Sequence, residues 1–256
     1  MTLRQVTPCA EVVLAPNPGP MTLEGTNTWV LRGPDGPSCV VVDPGPLMED
    51  HLSRVADLAG GATVVLLTHG HPDHSAGAAR FAELTGAPVR ALDPAYRLGE
   101  EGLGEGDVIA AAGVELRVLA TPGHTSDSLS FLLTGPEQEG AVLTGDTILG
   151  RGTTVVAHPD GVLADYLDSL RRLRELGDVT VLPGHGRELP SAGAAAEGYL
   201  RHRLERLEQV RAALSAGAGT PEQVVATVYA DVDRALWPAA RLSVLAQLDY
   251  LDARAS

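Results

Sequence analysis

Thr68-His69-Gly70-His71-Pro72-Asp73-His74-Ser75 is the stretch from which the rest of the chain can be read. It follows Thr63-Val64-Val65-Leu66-Leu67, a short β-branched and apolar run that reads as a buried strand. Three histidines and one aspartate then occupy positions 69 to 74. The small residues Gly70, Ser75, Ala76 and Gly77 let the backbone turn tightly around them. Imidazole and carboxylate donors together suit zinc. A packed core has no use for so many polar groups, each of which would need hydrogen-bond partners. Taken alone, the competing reading is a solvated turn that happens to be rich in His and Asp.

Three further strand-like stretches end in a metal-binding side chain on a glycine-containing loop. They are Thr121-Pro122-Gly123-His124-Thr125, Thr144-Gly145-Asp146-Thr147 and Pro183-Gly184-His185-Gly186. With the first loop they supply five histidines and two aspartates. In this order, His-x-His-x-Asp-His, then His, then Asp, then His, the chain resembles the metallo-β-lactamase-fold hydrolases, and no member of the pattern is missing. The resemblance implies a dinuclear metal site: His69, His71 and His124 around one ion, Asp73, His74 and His185 around the other, and Asp146 bridging them. It implies two zinc ions, with manganese or iron as alternatives. It also implies an α/β architecture, a four-layer αββα sandwich with the metals at one edge between the sheets. Periodicity alone gives only mixed sheets with helices.

Composition bounds the function. The 256 residues are enough for one α/β domain with a small appendage. The absence of a charged leader with an apolar h-region, and of any long apolar run, points away from secretion and membrane spanning. Cys9 and Cys39 form neither a ligand nor a disulfide pattern, which fits a reducing cytoplasm. A net charge of −14 argues against a surface built for polyanions. All nineteen basic residues are arginine, so a lysine nucleophile or Schiff base is excluded.

In chain order, Glu11–Leu14 reads as an edge strand, and residues 15–20 (Ala-Pro-Asn-Pro-Gly-Pro) as a turn that cannot be helical. Thr28–Leu31 and Cys39–Val42 form a hairpin around residues 33–37. Asp43 follows at a strand end, before Pro44-Gly45. It either starts that turn or, as the resemblance implies, orients the His-rich loop from behind the metals. Helices are predicted over Glu49–Leu58, Ala76–Leu84 and Leu163–Leu176, each closed by a glycine. Strands are predicted at Val114–Leu119, Leu129–Leu133, Ala141–Leu143 and Thr180–Leu182.

Beyond residues 190–196 the pattern becomes helical: Tyr199–Leu214, Pro221–Tyr229 and Pro238–Leu251. Thr220, Pro221 and Gln223 form a capping-box start. Arg201, Arg203, Glu205, Arg206 and Glu208 read as a solvated, charge-paired face. From Gly198 onward seven arginines balance seven carboxylates, so the catalytic part carries the whole −14. The expected domains are residues 1–196, catalytic, and 197–256, a helical module. Within the fold, residues 17–28, residues 145–154 and His202-Arg203 resemble the β-lactamase-like protein 2 group. That group includes a single-strand-specific endoribonuclease and thioesterase-like relatives. There the tail is a winged-helix-like module that narrows the cleft; here the wing is expected to be truncated.

The function so implied is a hydrolase whose nucleophile is a hydroxide shared by two zinc ions. Asp73 is a ligand that is also placed to relay a proton. A small thioester, ester or lactone is the expected substrate. Single-strand RNA or phosphodiester cleavage is the alternative, disfavoured by charge, and a non-catalytic metal-stabilised module is a third reading. Asn27 and Thr28 are expected beside the metals, and Arg151 is a candidate to meet an anionic substrate. His51, His158 and His202 match no motif position and read as surface or capping residues.

Overall fold

The computed structural model describes residues 3–34, 36–134 and 140–255. Among the described residues eleven strands form two sheets. The first holds β1 (Arg4–Thr7), β2 (Ala10–Leu14), β3 (Asn27–Leu31), β4 (Cys39–Val42), β5 (Ala62–Leu66) and β6 (Val89–Arg90), in that spatial order. The second holds β7 (Val108–Ala111), β8 (Val114–Ala120), β9 (Leu129–Leu133), β10 (Ala141–Gly145) and β11 (Thr180–Pro183), again in simple succession. Both are mixed: β4–β5, β5–β6 and β10–β11 pair parallel, and the rest antiparallel.

Side-chain alternation explains the layering. Val40, Val42, Val64 and Leu66 point inward and meet Leu116, Val118, Phe131, Leu143 and Leu182 from the second sheet. The opposite residues of the same strands, Cys39, Val41, Val65 and Leu67, pack on α1 (Glu49–Ala59) and α3 (Ala78–Thr85) through Leu52, Val55 and Phe81. Behind the second sheet, Val142 and Val181 pack on α4 (Leu163–Arg174) and α5 (Ala192–Ser215). The layers are therefore helix, sheet, sheet, helix. A short α2 (Pro72–Ser75) lies between β5 and α3.

Three strands escape the sequence pattern. β1 is polar and solvated, so it carries no apolar alternation. It flanks β2, which is thereby an interior strand and not the expected edge. β6 is two residues long. β7 is alanine-rich and joins β8 through a turn with Ala112 and Gly113 both at positive φ. Asp35, within the expected β3–β4 turn, lies outside the described residues.

The tail is α5, α6 (Pro221–Val228) and α7 (Trp237–Ala255), with their own apolar cluster around Val210, Val224, Val228 and Val244. Among the described residues no strand follows β11. Thr220 caps α6 by accepting from the Gln223 amide at 3.3 Å. α5 begins at Ala192, capped by Ser191, and runs without a break through the expected 196/197 boundary. Its first turns pack on α4 and its last turns on α6 and α7. No described helix is long and apolar enough to cross a membrane.

Candidate metal centre

Asp43, the His69–His74 loop, His124, Asp146 and His185 follow β4, β5, β8, β10 and β11 respectively. These strands all run the same way within their sheets, so the loops meet at one end of the sandwich. The structure gathers the seven side chains into two groups: His69, His71, His124 and Asp146, then Asp73, His74 and His185. His71 Nδ1 lies 3.0 Å from both His69 Nε2 and His124 Nε2. His185 Nε2 lies 3.3 Å from His74 Nε2 and 3.2 Å from Asp73 Oδ2. Asp146 faces both groups. Its Oδ2 is 3.7 Å from His124 Nε2 and 3.4 Å from His185 Nε2, and its Oδ1 is 3.4 Å from His74 Nε2.

Hydrogen bonds behind the rings fix their orientation. Thr68 donates its hydroxyl to Asp43 Oδ2 at 2.7 Å, so at 3.0 Å it accepts from His69 Nδ1. His124 Nδ1 donates to the Val155 carbonyl at 2.6 Å, His185 Nδ1 to the Gly25 carbonyl at 3.1 Å, and His74 Nδ1 to Asp43 Oδ2 at 2.8 Å. Each of these four imidazoles thus spends its Nδ1 hydrogen outward and turns the Nε2 lone pair inward. Lone pairs and carboxylate oxygens facing one another repel unless cations lie between them. Two donors each about 2.0–2.1 Å from a tetrahedral zinc would sit about 3.3 Å apart, close to the separations observed. Asp146 Oδ1, buried without a hydrogen-bond partner, fits the same reading. The residues fit a pair of divalent cations.

Without cations the same geometry distributes protons unequally. Burial, joined by neighbouring imidazoles, holds His69 well below its usual pKa, and burial pulls His124 down to about 4. Burial also disfavours charge on His185, but Asp146 and Asp73 outweigh it and push the group up to about 9. His74 is likewise raised, by Asp146 and Asp43 against the cost of burial. Asp73, despite burial, is lowered to about 2 by His185 and His74.

Asp43 sits at φ 52, a strained conformation for a non-glycine residue. Its two oxygens accept from the Thr68 amide, the Thr68 hydroxyl and His74, which ties β4 to the His-rich loop. The side chains of Asn27 and Thr28 are engaged by neighbours within the fold. Asn27 Nδ2 bonds the carbonyls of Pro183 and Gly186, on either side of His185, and Thr28 bonds His51 at 3.0 Å. His51 is fully buried and not at the surface. His158 pairs with the exposed Asp249. The neighbour that sequence reasoning missed is Thr26, whose hydroxyl donates to Asp73 Oδ2 at 3.1 Å while accepting from Asn17 at 2.9 Å. Its signal lay in the Asn17–Thr28 stretch, one residue before the two candidates.

Close packing sets the glycines. A Cβ on Gly184 would lie 2.6 Å from Asp146 Oδ1 and 2.7 Å from His74 Cε1, so only glycine lets the His185 loop approach this closely. Gly123, at φ +135, would place a Cβ 2.3 Å from Tyr166 Cα. Gly123→Ala is expected to cost about 2–4 kcal/mol of stability, read as a lower urea midpoint with an unchanged slope. A variant as stable as the parent would show that the His124 loop does not depend on this approach.

From the metal centre a cleft of about 590 Å³ extends to the tail. His124 and Asp146 line it, together with Arg203, Arg206 and Tyr229 from the tail. Arg151 stands at its rim, exposed and paired with Glu24 at 2.7 Å. His202, expected at the surface, is half-buried in the tail's wall of this cleft, and Arg203, expected on a solvated face, is buried.

A model of the metallo-beta-lactamase superfamily matches residues 21–185, which include every residue of the two donor groups. The chain belongs to the metallo-beta-lactamase superfamily. A second model, the beta-lactamase associated winged helix domain, matches residues 220–254. Among superfamily members, the chain is 32% identical over 238 residues to the Beta-lactamase-like protein 2 homolog of Caenorhabditis elegans, covering 86% of this chain and 76% of that one. It is 35% identical over 213 residues to the Atrochrysone carboxyl ACP thioesterase of Aspergillus fumigatus, covering 79% and 64%. The match to Lactamase-like protein nscB of the same fungus spans 60% of that protein's length. The crystal structure of a metallo-beta-lactamase family protein from Thermus thermophilus superposes with a TM-score of 0.80 at 25% identity, covering 97% of this chain and 94% of that one.

Proposed function

We propose that the chain is a dinuclear metal-dependent hydrolase acting on small acyl thioesters, with two zinc ions as its resident cofactors. The observation that carries the hydrolase reading is the convergence of the inward-facing nitrogens with Asp73 and with both oxygens of Asp146. Two divalent cations in such a donor set supply Lewis acidity and an ionised water near neutral pH. His69, His71 and His124 would hold one, Asp73, His74 and His185 the other, and Asp146 would bridge. The chain's own part is to hold these donors rigid through Asp43, Thr68 and the loop carbonyls. Asp73, fixed by Thr26 and one-quarter exposed, is placed to accept and pass on a proton at its Oδ2.

The thioester reading draws on the cleft. Its volume is of the size that takes small molecules, and apolar Leu149, Val155, Val232 and Leu236 in its walls suit an acyl chain. The relative named as a carrier-protein thioesterase points the same way. Buried thiols at Cys9 and Cys39 suit a reducing compartment such as the cytoplasm.

The test is a turnover screen of zinc-loaded protein against acyl thioesters, lactones, β-lactams, bis(p-nitrophenyl) phosphate and single-stranded RNA. A thioester is expected to lead, with kcat/KM about tenfold or more above the phosphodiesters. Preferred cleavage of RNA or of the phosphodiester would overturn the substrate assignment. Turnover of none of them by protein carrying two metals would remove the enzymatic reading.

A further inference from the structure

Arginines in this acidic chain commonly meet carboxylates: Arg4 meets Glu188, Arg80 meets Glu49, Arg172 meets Glu105 and Arg241 meets Glu222. Arg203 does not. It is 3% exposed, yet among the described residues no carboxylate lies within ion-pair distance of it. One terminal nitrogen donates to the Thr154 carbonyl, its guanidinium lies 5.2 Å from the Tyr166 ring centroid, and its Nε has no partner. A ring face attracts a cation but does not neutralise it. A buried guanidinium without a counter-charge is costly. Arg206, one turn further along α5, is half-buried and likewise meets no carboxylate among the described residues. It donates to the Val228 carbonyl and to Gln209 and lies 4.4 Å from the Tyr229 ring centroid.

Both residues line the same cleft as His124 and Asp146. One residue links this wall to the metal centre: the Thr154 hydroxyl donates to the Asp146 carbonyl, and the Thr154 carbonyl accepts from Arg203. His202, beside them, also has an unpartnered Nδ1. The acidic residue of the same wall, Asp233, already caps the Ala235 amide through one oxygen at 2.9 Å. A planar fork of donors is suited to an oxyanion such as a carboxylate or a phosphate monoester. In a protein of net charge −14, two guanidinium groups lining one cleft without carboxylate partners are what an anionic group needs in order to enter.

We infer that the cleft takes an acyl substrate carrying a second oxyanion, held by Arg203 and Arg206 while the scissile carbonyl lies at the metal centre. The placing of that carbonyl rests on the hydrolase reading above; the oxyanion site does not. The second anion can belong to the acyl chain, as a carboxylate, or to a carrier arm, as a phosphate.

Isothermal titration of the metal-loaded full chain separates the second anion from the first. Adipate, pimelate and suberate are each compared with the monocarboxylate of the same chain length. Both members of a pair offer one carboxylate to the metals, so their ratio reads the other end alone. At least one dicarboxylate is expected to bind about tenfold or more tightly than its partner, as for charge-assisted hydrogen bonds to a desolvated guanidinium. 4-Phosphonobutyrate against butyrate makes the same comparison for a phosphate-like group, and the larger ratio identifies the source. Arg206→Gln and Arg203→Lys, the second keeping the charge but losing the fork, are each expected to bring the ratio below about threefold. If Arg203→Lys does not fold, Arg206→Gln decides alone. Equal affinities within every pair, or a ratio that survives in either folded variant, would overturn the inference. Loss of thioester turnover in the screen leaves these ratios untouched, so the two readings fail separately.

Discussion

Replacing Asp146 by alanine is expected to lower turnover on the order of a thousandfold, because removing even an outer partner of a metal ligand costs about 10–100-fold. Metal content should fall from about two ions per chain to one or fewer. Asp146 is the carboxylate that reaches nitrogen donors in both groups, through Oδ2 toward His124 and His185 and Oδ1 toward His74. Asp73, the other carboxylate of the centre, faces the second group, through Oδ2 toward His74 and His185. Asp146→Asn keeps the shape and loses the charge, so it separates packing from charge. Metal analysis after dialysis, alongside the melting temperature and turnover of each variant, measures both effects. An Asp146→Ala protein that keeps two ions and normal turnover would sink the bridging role.

The second large effect concerns metal-free protein, whose stability should peak near pH 6.5 and fall on both sides. The two limbs have opposite causes. His51 and His124 are held near pKa 4 by burial, and His69 is lowered as well. Below pH 6.5 the unfolded chain takes protons there that the folded chain refuses, so stability drops toward pH 4. His185, raised to about 9, and His74, also raised, behave the other way. Their contribution is fully present below pH 6.5 and is lost as pH rises through about 9. Each such proton changes stability by up to about 1.4 kcal/mol per pH unit, so either limb should be plain in melting curves of chelated protein. Metal binding requires unprotonated Nε2 atoms on His74 and His185 and should therefore abolish the alkaline limb. A chelated protein equally stable at pH 6.5 and 9 would contradict the protonation pattern.

The metal loops and the layered core are legible in sequence for one reason. Both rest on local patterns: a strand run ending in a donor on a glycine loop, and unbroken apolar runs along Cys39–Val42, Thr63–Leu67 and Ala141–Leu143. What escaped is set by tertiary contact. Thr26 is reached through Asn17 across a turn, while the neighbouring Asn27 spends its amide on the His185 loop. His51 is buried because Gly45, which has no side chain, leaves room for its ring and Thr28 offers it a hydroxyl. Arg203 sits in a helix whose charges alternate as on a solvated face, and only the packing of that helix on α4 and the Thr154 carbonyl turns this one inward. β1 and β7 are held by pairing with β2 and β8, and neither carries an apolar stripe to announce it.

The unbroken run of α5 from Ala192 to Ser215 makes the tail's wall of the cleft a matter of helical phase. One residue inserted near Ala196 would turn everything beyond it by about 100° and lift it by about 1.5 Å. Arg203 and Arg206 would then swing away from the metal centre although every ligand stayed in place. Seven residues, close to two turns, would restore the direction but displace the wall by about 10 Å. The rod therefore works as a keyed shaft. Residues on its cleft-facing side can be exchanged to suit other ligands, whereas its length and rotation are locked to the position of Asp146.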